Sequence, residues 1–129
     1  MSVTRSARLL AVAALLAAPC AFAADAANGK AVFDRVCIIC HSTTTEPGGP
    51  VVGPTLAGVV GRKAASVKEF QMYTPALKGH SVTWNAKTLD EFLANPMATV
   101  PGTMMVMPVP DATERADVIA YLETLKAKK

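Results

Sequence analysis

Apolar residues are distributed unevenly along the 129-residue chain. Leu9 to Ala18 is one unbroken apolar run, preceded by Arg5 and Arg8 and followed by Ala21-Phe22-Ala23. A basic start, a short apolar stretch and an A-x-A pattern are the parts of a secretory leader. The run is shorter than the roughly 20 residues that cross a bilayer. The pattern therefore predicts a leader over residues 1–23, cleaved after Ala23, and a single domain over 24–129. A retained N-terminal anchor and lipid attachment at Cys20 are the alternatives, and Pro19 stands where lipid attachment expects a small residue. No Arg-Arg pair precedes the run, so the expected route is export of an unfolded chain to the periplasm.

Beyond the leader the pattern is helical or irregular, never alternating. Val32, Phe33 and Val36 share one face of a helix expected over Asn28 to Cys37, with Asn28 as its cap. Ser42 to Lys63 holds five of the eight glycines (Gly48, Gly49, Gly53, Gly58, Gly61) and reads as an irregular loop. Tyr73 to Lys78 is a short helix. Thr88-Leu-Asp-Glu91 reads as a capping box opening a helix that Pro96 ends. Asn95 to Pro110 is a second irregular stretch. Asp111-Ala-Thr-Glu114 reads as another capping box. The final helix carries Val118, Tyr121, Leu122 and Leu125 on one face, and Lys126, Lys128 and Lys129 suit the negative end of its dipole. The fold class is all-α: three main helices and a short one, joined by long Gly/Pro-rich loops. Loops of that length in a small domain generally serve a site.

Composition changes this picture in two ways. About half the residues are apolar but only 5% are aromatic, so a bound group rather than large rings can fill the centre. Loss of Arg5 and Arg8 with the leader takes Lys plus Arg from 13 to 11 against 10 Asp plus Glu, a net charge of +1. No basic patch with interleaved aromatics exists, which argues against nucleic acid as a partner.

The chemistry lies in Cys37-Ile-Ile-Cys40-His41. A disulfide between Cys37 and Cys40 would close too small a loop to constrain the unfolded chain much. A redox dithiol requires C-x-x-C after a strand in a βαβ setting, and no strand is expected here. Structural zinc requires about four ligands, whereas only His41 and His80 accompany the two cysteines. C-x-x-C-H as a c-type haem attachment fits the helix end, the missing centre and the exported setting. Such a haem would have His41 as its proximal ligand. Residue chemistry leaves the second axial position open among Met97, Met104, Met105, Met107 and His80.

From Gly29 to Leu125 the chain resembles class I cytochromes c, chiefly the bacterial c2-type and mitochondrial forms. The matching pieces are GKAVFDRVCIICH, VGPTLAGVVGRK, YTPALK, VTW, TLDEFLANP, VPGTMM and ERADVIAYL, in the family's order. The resemblance implies a small cytochrome c fold wrapped around one covalently bound haem c. It implies Met105 of Pro101-Gly-Thr-Met-Met105 as the distal ligand, with iron held by His41 and Met105. It implies that the Pro54 carbonyl accepts a hydrogen bond from His41. Tyr73 and Trp84 would hydrogen-bond a haem propionate with Arg62 nearby, and Thr103 would anchor the distal segment to a propionate. Gly29 and Phe33 would meet Val118 and Tyr121 where the first and last helices cross.

Some positions depart from the family pattern. Phe92 stands where a tyrosine often reaches the methionine sulfur, and Leu77 where an asparagine often lies near the propionates. Met104 and Met107 replace a lysine and a phenylalanine flanking the ligand, giving Met104, Val106, Met107 and Val109 the makings of an apolar rim. Ligation is expected to survive these changes, whereas reduction potential and partner choice are expected to shift. The implied function is one-electron carriage by a soluble monomer without a stable membrane anchor. Its partners would be donor and acceptor redox proteins, whether haem proteins, copper proteins or enzymes. No group is placed for acid, base or nucleophilic catalysis, so the chain is not expected to be an enzyme. The alternatives are a haem subunit of a larger oxidoreductase, or a ligand-binding or peroxidase-like haem protein if Met105 is displaced.

Overall fold

The first helix, α1, spans Ala26–Val32 in a computed structural model that describes residues 23–45 and 52–127. The predicted leader, apart from Ala23, and the glycines Gly48 and Gly49 lie outside the described residues, as do Lys128 and Lys129. Asp25, not Asn28, caps α1: its backbone is extended and its carboxylate accepts from Ala27 N at 2.8 Å and Asn28 N at 3.3 Å. Asp and Asn are near-equal caps, so composition alone does not separate two candidates three residues apart. Asn28 lies in the first turn and its side chain donates to Asp117 at 2.6 Å.

The helix does not stay α-helical to Cys37. Phe33–Cys37 is a π-helical turn closed by Ile38 N to Phe33 O at 3.0 Å. Such widenings are rare and occur often at functional sites. Here the turn leads directly into Cys37.

α2 spans Pro75–Gly79, two residues later at its start than the predicted Tyr73, because Thr74 Oγ1 caps it by accepting from Leu77 N at 3.2 Å. α3 spans Ala86–Ala94. Its capping box pairs Asn85 with Thr88 (Thr88 N to Asn85 Oδ1 3.0 Å, Asn85 N to Thr88 Oγ1 2.9 Å), one turn earlier than the predicted Thr88–Glu91 box. Pro96 opens a further short helix, α4, over Pro96–Thr99, with Asn95 accepting from Ala98 N at 3.1 Å. Proline is tolerated at a first helical position because its missing N–H would be unpaired there anyway. α5 spans Ala112–Thr124. Asp111 caps it through Glu114 N at 2.9 Å, but Glu114 does not complete a box, since its carboxylate pairs with Arg35 at 2.7 Å. Among the described residues there is no strand, only an isolated antiparallel bridge between Lys63 and Thr83. No helix among them is long and apolar enough to cross a membrane.

The fold is organised by the crossing of α1 on α5. Val32, Phe33 and Val118 are its least exposed side chains, and the rings of Phe33 and Tyr121 meet edge-on at 5.5 Å. At Gly29 a Cβ would lie 1.9 Å from Asp117 O and 2.9 Å from Val118 N. The glycine is what lets the backbones approach, as the expected meeting of Gly29 and Phe33 with Val118 and Tyr121 requires.

Asp117 closes the crossing. Only 5% exposed, it accepts from Asp25 N at 2.7 Å and from Asn28 Nδ2 at 2.6 Å. These two bonds, the Asp25 amide first, hold its carboxyl below the usual carboxylate range. A depressed folded-state pKa contributes stability that is fully present above the unfolded value of about 3.9 and disappears as pH falls through the folded value. Asp117→Asn is therefore expected to flatten the acid limb of the stability curve. Thermal midpoints measured from about pH 6 down to about pH 2 check this, and an acid limb as steep as that of the unmodified protein would contradict it.

Candidate haem site

The π turn ends at Cys37, and a tight turn continues it: Cys40 N and His41 N both donate to Cys37 O, at 3.1 and 2.9 Å. Ile38 and Ile39 face outward, the latter 63% exposed. Cys37, Cys40 and His41 face inward, onto a largely apolar cavity of about 380 Å³. Burial pushes the Cys37 thiol up to about 11. A thiol so disfavoured as thiolate is a poor redox nucleophile at neutral pH.

His41 is oriented from behind. Its Nδ1 lies 2.7 Å from Pro54 O. A carbonyl only accepts, so Nδ1 carries the proton and Nε2 keeps its lone pair. Gly53 backs the ring: a Cβ there would lie 2.5 Å from Cε1 and 2.7 Å from Nδ1 of His41. Gly53 N donates to Cys40 O at 2.8 Å, which ties the loop to the turn carrying the cysteines. Burial lowers the His41 pKa, the Pro54 bond opposes this, and the nearby Arg62 charge adds to the lowering. A neutral imidazole with a fixed tautomer and a free Nε2 is the form that binds iron.

The other predicted residues share the same cavity wall: Pro54, Arg62, Tyr73, Trp84, Thr103 and Met105 all line it. Arg62 donates to Ala57 O at 2.8 Å and Thr55 O at 2.7 Å, so two of its donors already hold the loop. Tyr73 Oη accepts from Val67 N at 3.2 Å, and its ring meets Phe70 edge-on at 4.8 Å. Trp84 is buried, with its ring 5.1 Å from that of Phe92. Thr103 is buried and its Oγ1 accepts from Met105 N at 3.2 Å, which leaves the hydroxyl hydrogen available. Gly102 turns the chain just before them at φ +94°.

The methionines separate clearly. Met105 is partly buried against the core, Met104 is 77% exposed, and Met107 is 48% exposed at the cavity mouth. Met97 and His80 do not line the cavity, and the His80 ring lies 6.0 Å from Trp84. No group of three or more His, Cys, Asp or Glu gathers among the described residues, which disfavours the zinc alternative.

Sequence reasoning missed several wall residues: Phe70, Met72, Leu89 and Leu93, and Gly53 as the back of the histidine. The Gly53-Pro54 pair was a usable signal for Gly53. The aliphatic side chains have none, since a cavity wall and a solid core carry the same periodicity.

The donor set fits haem: an apolar cavity, two thiols and an oriented neutral imidazole on one turn, and a thioether in the same wall. The cytochrome c family model matches residues 26–126. Cytochrome c2 of Rhodomicrobium vannielii is 46% identical over 116 residues, covering 87% of this chain and 89% of that protein. Cytochrome c of Tetrahymena pyriformis is 42% identical over 102 residues, covering 78% of this chain and 89% of that protein. The cytochrome c-type cyt cy of Rhodobacter capsulatus is 43% identical over 108 residues, covering 83% of this chain but 52% of that protein, so the chain spans about half of its length. Among solved structures, cytochrome cH from Methylobacterium extorquens matches with a TM-score of 0.69 at 42% identity, covering 78% of this chain and 98% of that one. With that cavity, that cysteine-histidine turn and these likenesses, the chain belongs to the cytochrome c family and is an electron carrier with covalently attached haem c.

Proposed function

We propose that the protein is a freely diffusing periplasmic monomer that carries one electron at a time between a donor and an acceptor redox protein. Cys37 and Cys40 would hold the haem through thioethers, and His41 and Met105 would ligate its iron. The observation that carries this reading is the neutral, Pro54-oriented His41 sharing one apolar cavity with the part-buried Met105. Haem supplies the one-electron couple when bound. The protein residues keep its surroundings constant: Pro54 fixes the imidazole, Thr103 holds the Met105 amide, and the apolar wall excludes water. With both His41 and Met105 on the iron no position would be left for a substrate, so the chain is read as a carrier and not as an enzyme. A thioether ligand favours the reduced state. Residues 1–23 are read as a leader removed on export, and nucleic acid has no part in the function. Partners meet the rim formed by Met104, Val106 and Met107, all of them exposed at the cavity mouth; Val109, expected in that rim, is instead buried in the core.

Three methionine variants test the ligation. Met105→Ala is expected to abolish the weak far-red sulfur-to-iron band of the oxidised protein, lower the potential and open the reduced iron to carbon monoxide. Met104→Ala is expected to do none of these, because its side chain faces water. Survival of the band in Met105→Ala with loss in Met107→Ala would move the ligand by two residues and sink the assignment.

A further inference from the structure

We propose that Arg115 is a positioning residue for the distal ligand, clamping the far end of the segment that carries Met105. The inference rests on the reading of Met105 as that ligand. Between Met104 and Pro108 the chain holds itself with a single hydrogen bond, from Met105 N to Thr103 Oγ1. Val106 and Met107 are largely exposed and pack little. A strip with so few bonds of its own takes its position from its two ends.

The near end is fixed by the turn after α4, where Thr103 N donates to Val100 O at 3.0 Å. The far end is fixed at Val109 and Pro110. Val109 is 2% exposed and donates its N–H to Leu93 O on α3 at 2.8 Å. Arg115, on the first turns of α5, reaches back to the same two residues. Its Nη1 donates to Val109 O at 3.1 Å and to Pro110 O at 2.8 Å, while Nε donates to Asp90 on α3 at 2.7 Å. The Arg115 side chain is only 12% exposed, and of its acceptors Val109 is buried while Pro110 and Asp90 lie nearer the surface. One guanidinium thus joins α3, α5 and the end of the distal strip. Only three residues separate Val109 from Met105, so slack at Val109 is passed to the sulfur.

Releasing the clamp costs little global structure, because α5 keeps its packing on α1. It makes local opening of the strip easier, and opening is what a competing ligand needs. The test uses the oxidised holoprotein titrated with imidazole, with the far-red sulfur-to-iron band followed as the ligand is displaced. Arg115→Met keeps the aliphatic stem and removes every donor. It is expected to bind imidazole about tenfold more tightly, from the loss of charge-assisted bonds to two carbonyls, with the helical circular dichroism unchanged. Arg115→Lys, with fewer donors, is expected to fall between. Asp90→Asn leaves the carbonyl bonds in place and is expected to stay within about twofold of the unmodified protein.

Unchanged imidazole affinity in Arg115→Met, even with a lowered thermal midpoint, would show a merely structural role and overturn the proposal. Should Arg115→Met yield no holoprotein, Arg115→Lys decides: affinity equal to that of Asp90→Asn overturns it equally. Persistence of the band in Met105→Ala would instead overturn the ligand reading on which the clamp rests.

Discussion

Stripped of haem, the chain is expected to lose most of its helical circular dichroism. The cavity wall draws on nearly every part of the fold: Val36 beside Cys37, Leu56 and Val59 in the first loop, Trp84, Leu89 and Leu93 around α3, and Val118 and Leu122 on α5. Without haem these side chains line an apolar space of about 380 Å³ and lose their packing partners on one side, a loss that costs stability. The helices cannot make up the difference alone: α1 has 7 residues, α3 has 9 and α5 has 13, and helices below about 12–15 residues are marginal in water. Cys37→Ala or Cys40→Ala should accordingly yield little mature holoprotein. Native helical signal from haem-free protein would refute the idea that the cofactor completes the core.

The second large effect is expected at Gly29. Replacing glycine by alanine inside a helix ordinarily stabilises by about 1 kcal/mol. At Gly29 the sign reverses, because the new methyl would sit 1.9 Å from a backbone carbonyl oxygen of α5 and 2.4 Å from its carbon. No rotamer change relieves a clash with backbone, so α1 and α5 must move apart. Gly29→Ala is expected to cost about 3 kcal/mol, at the upper end of overpacking penalties. Gly79→Ala is the control: it also lies in a helix, but nothing comes within 4 Å of its would-be Cβ, so it is expected to be neutral or mildly stabilising. Denaturant midpoints of the reduced holoproteins compare the two. Equal midpoints for both variants would mean that the crossing has room that these distances deny.

Much of the site is legible in the sequence because its chemistry is local. Cys37, Cys40 and His41 lie within five residues, so the motif itself carries their arrangement. Pro54, Arg62, Tyr73, Trp84, Thr103 and Met105 came from resemblance in order and spacing, and the structure places all six in one wall. Composition does not distinguish Met105 from Met104 or Met107, because apolar thioethers are interchangeable; only the structure shows Met105 as the part-buried one of the three. Helix starts were less legible. Polar residues that cap well occur in clusters, so Asp25 competed with Asn28 and Asn85 with Thr88. Pro96 carried two meanings, a stop for α3 and a start for α4, and only the first was read. The π turn at Phe33–Cys37 has no residue signature. Pairings such as Asn28 with Asp117, 89 residues apart, are invisible to any local window, and so was the reach of Arg115 back to Val109 and Pro110.

The joint at Asp25 also sets how the domain bears load. Its backbone, at φ −104° and ψ 105°, interrupts any helix running into α1 from upstream. Its amide is pinned to Asp117 on the last helix. A load reaching Asp25 from upstream therefore meets the base of the α1–α5 crossing first. The point where any upstream segment joins the domain is thus tied to the last helix as well as to the first.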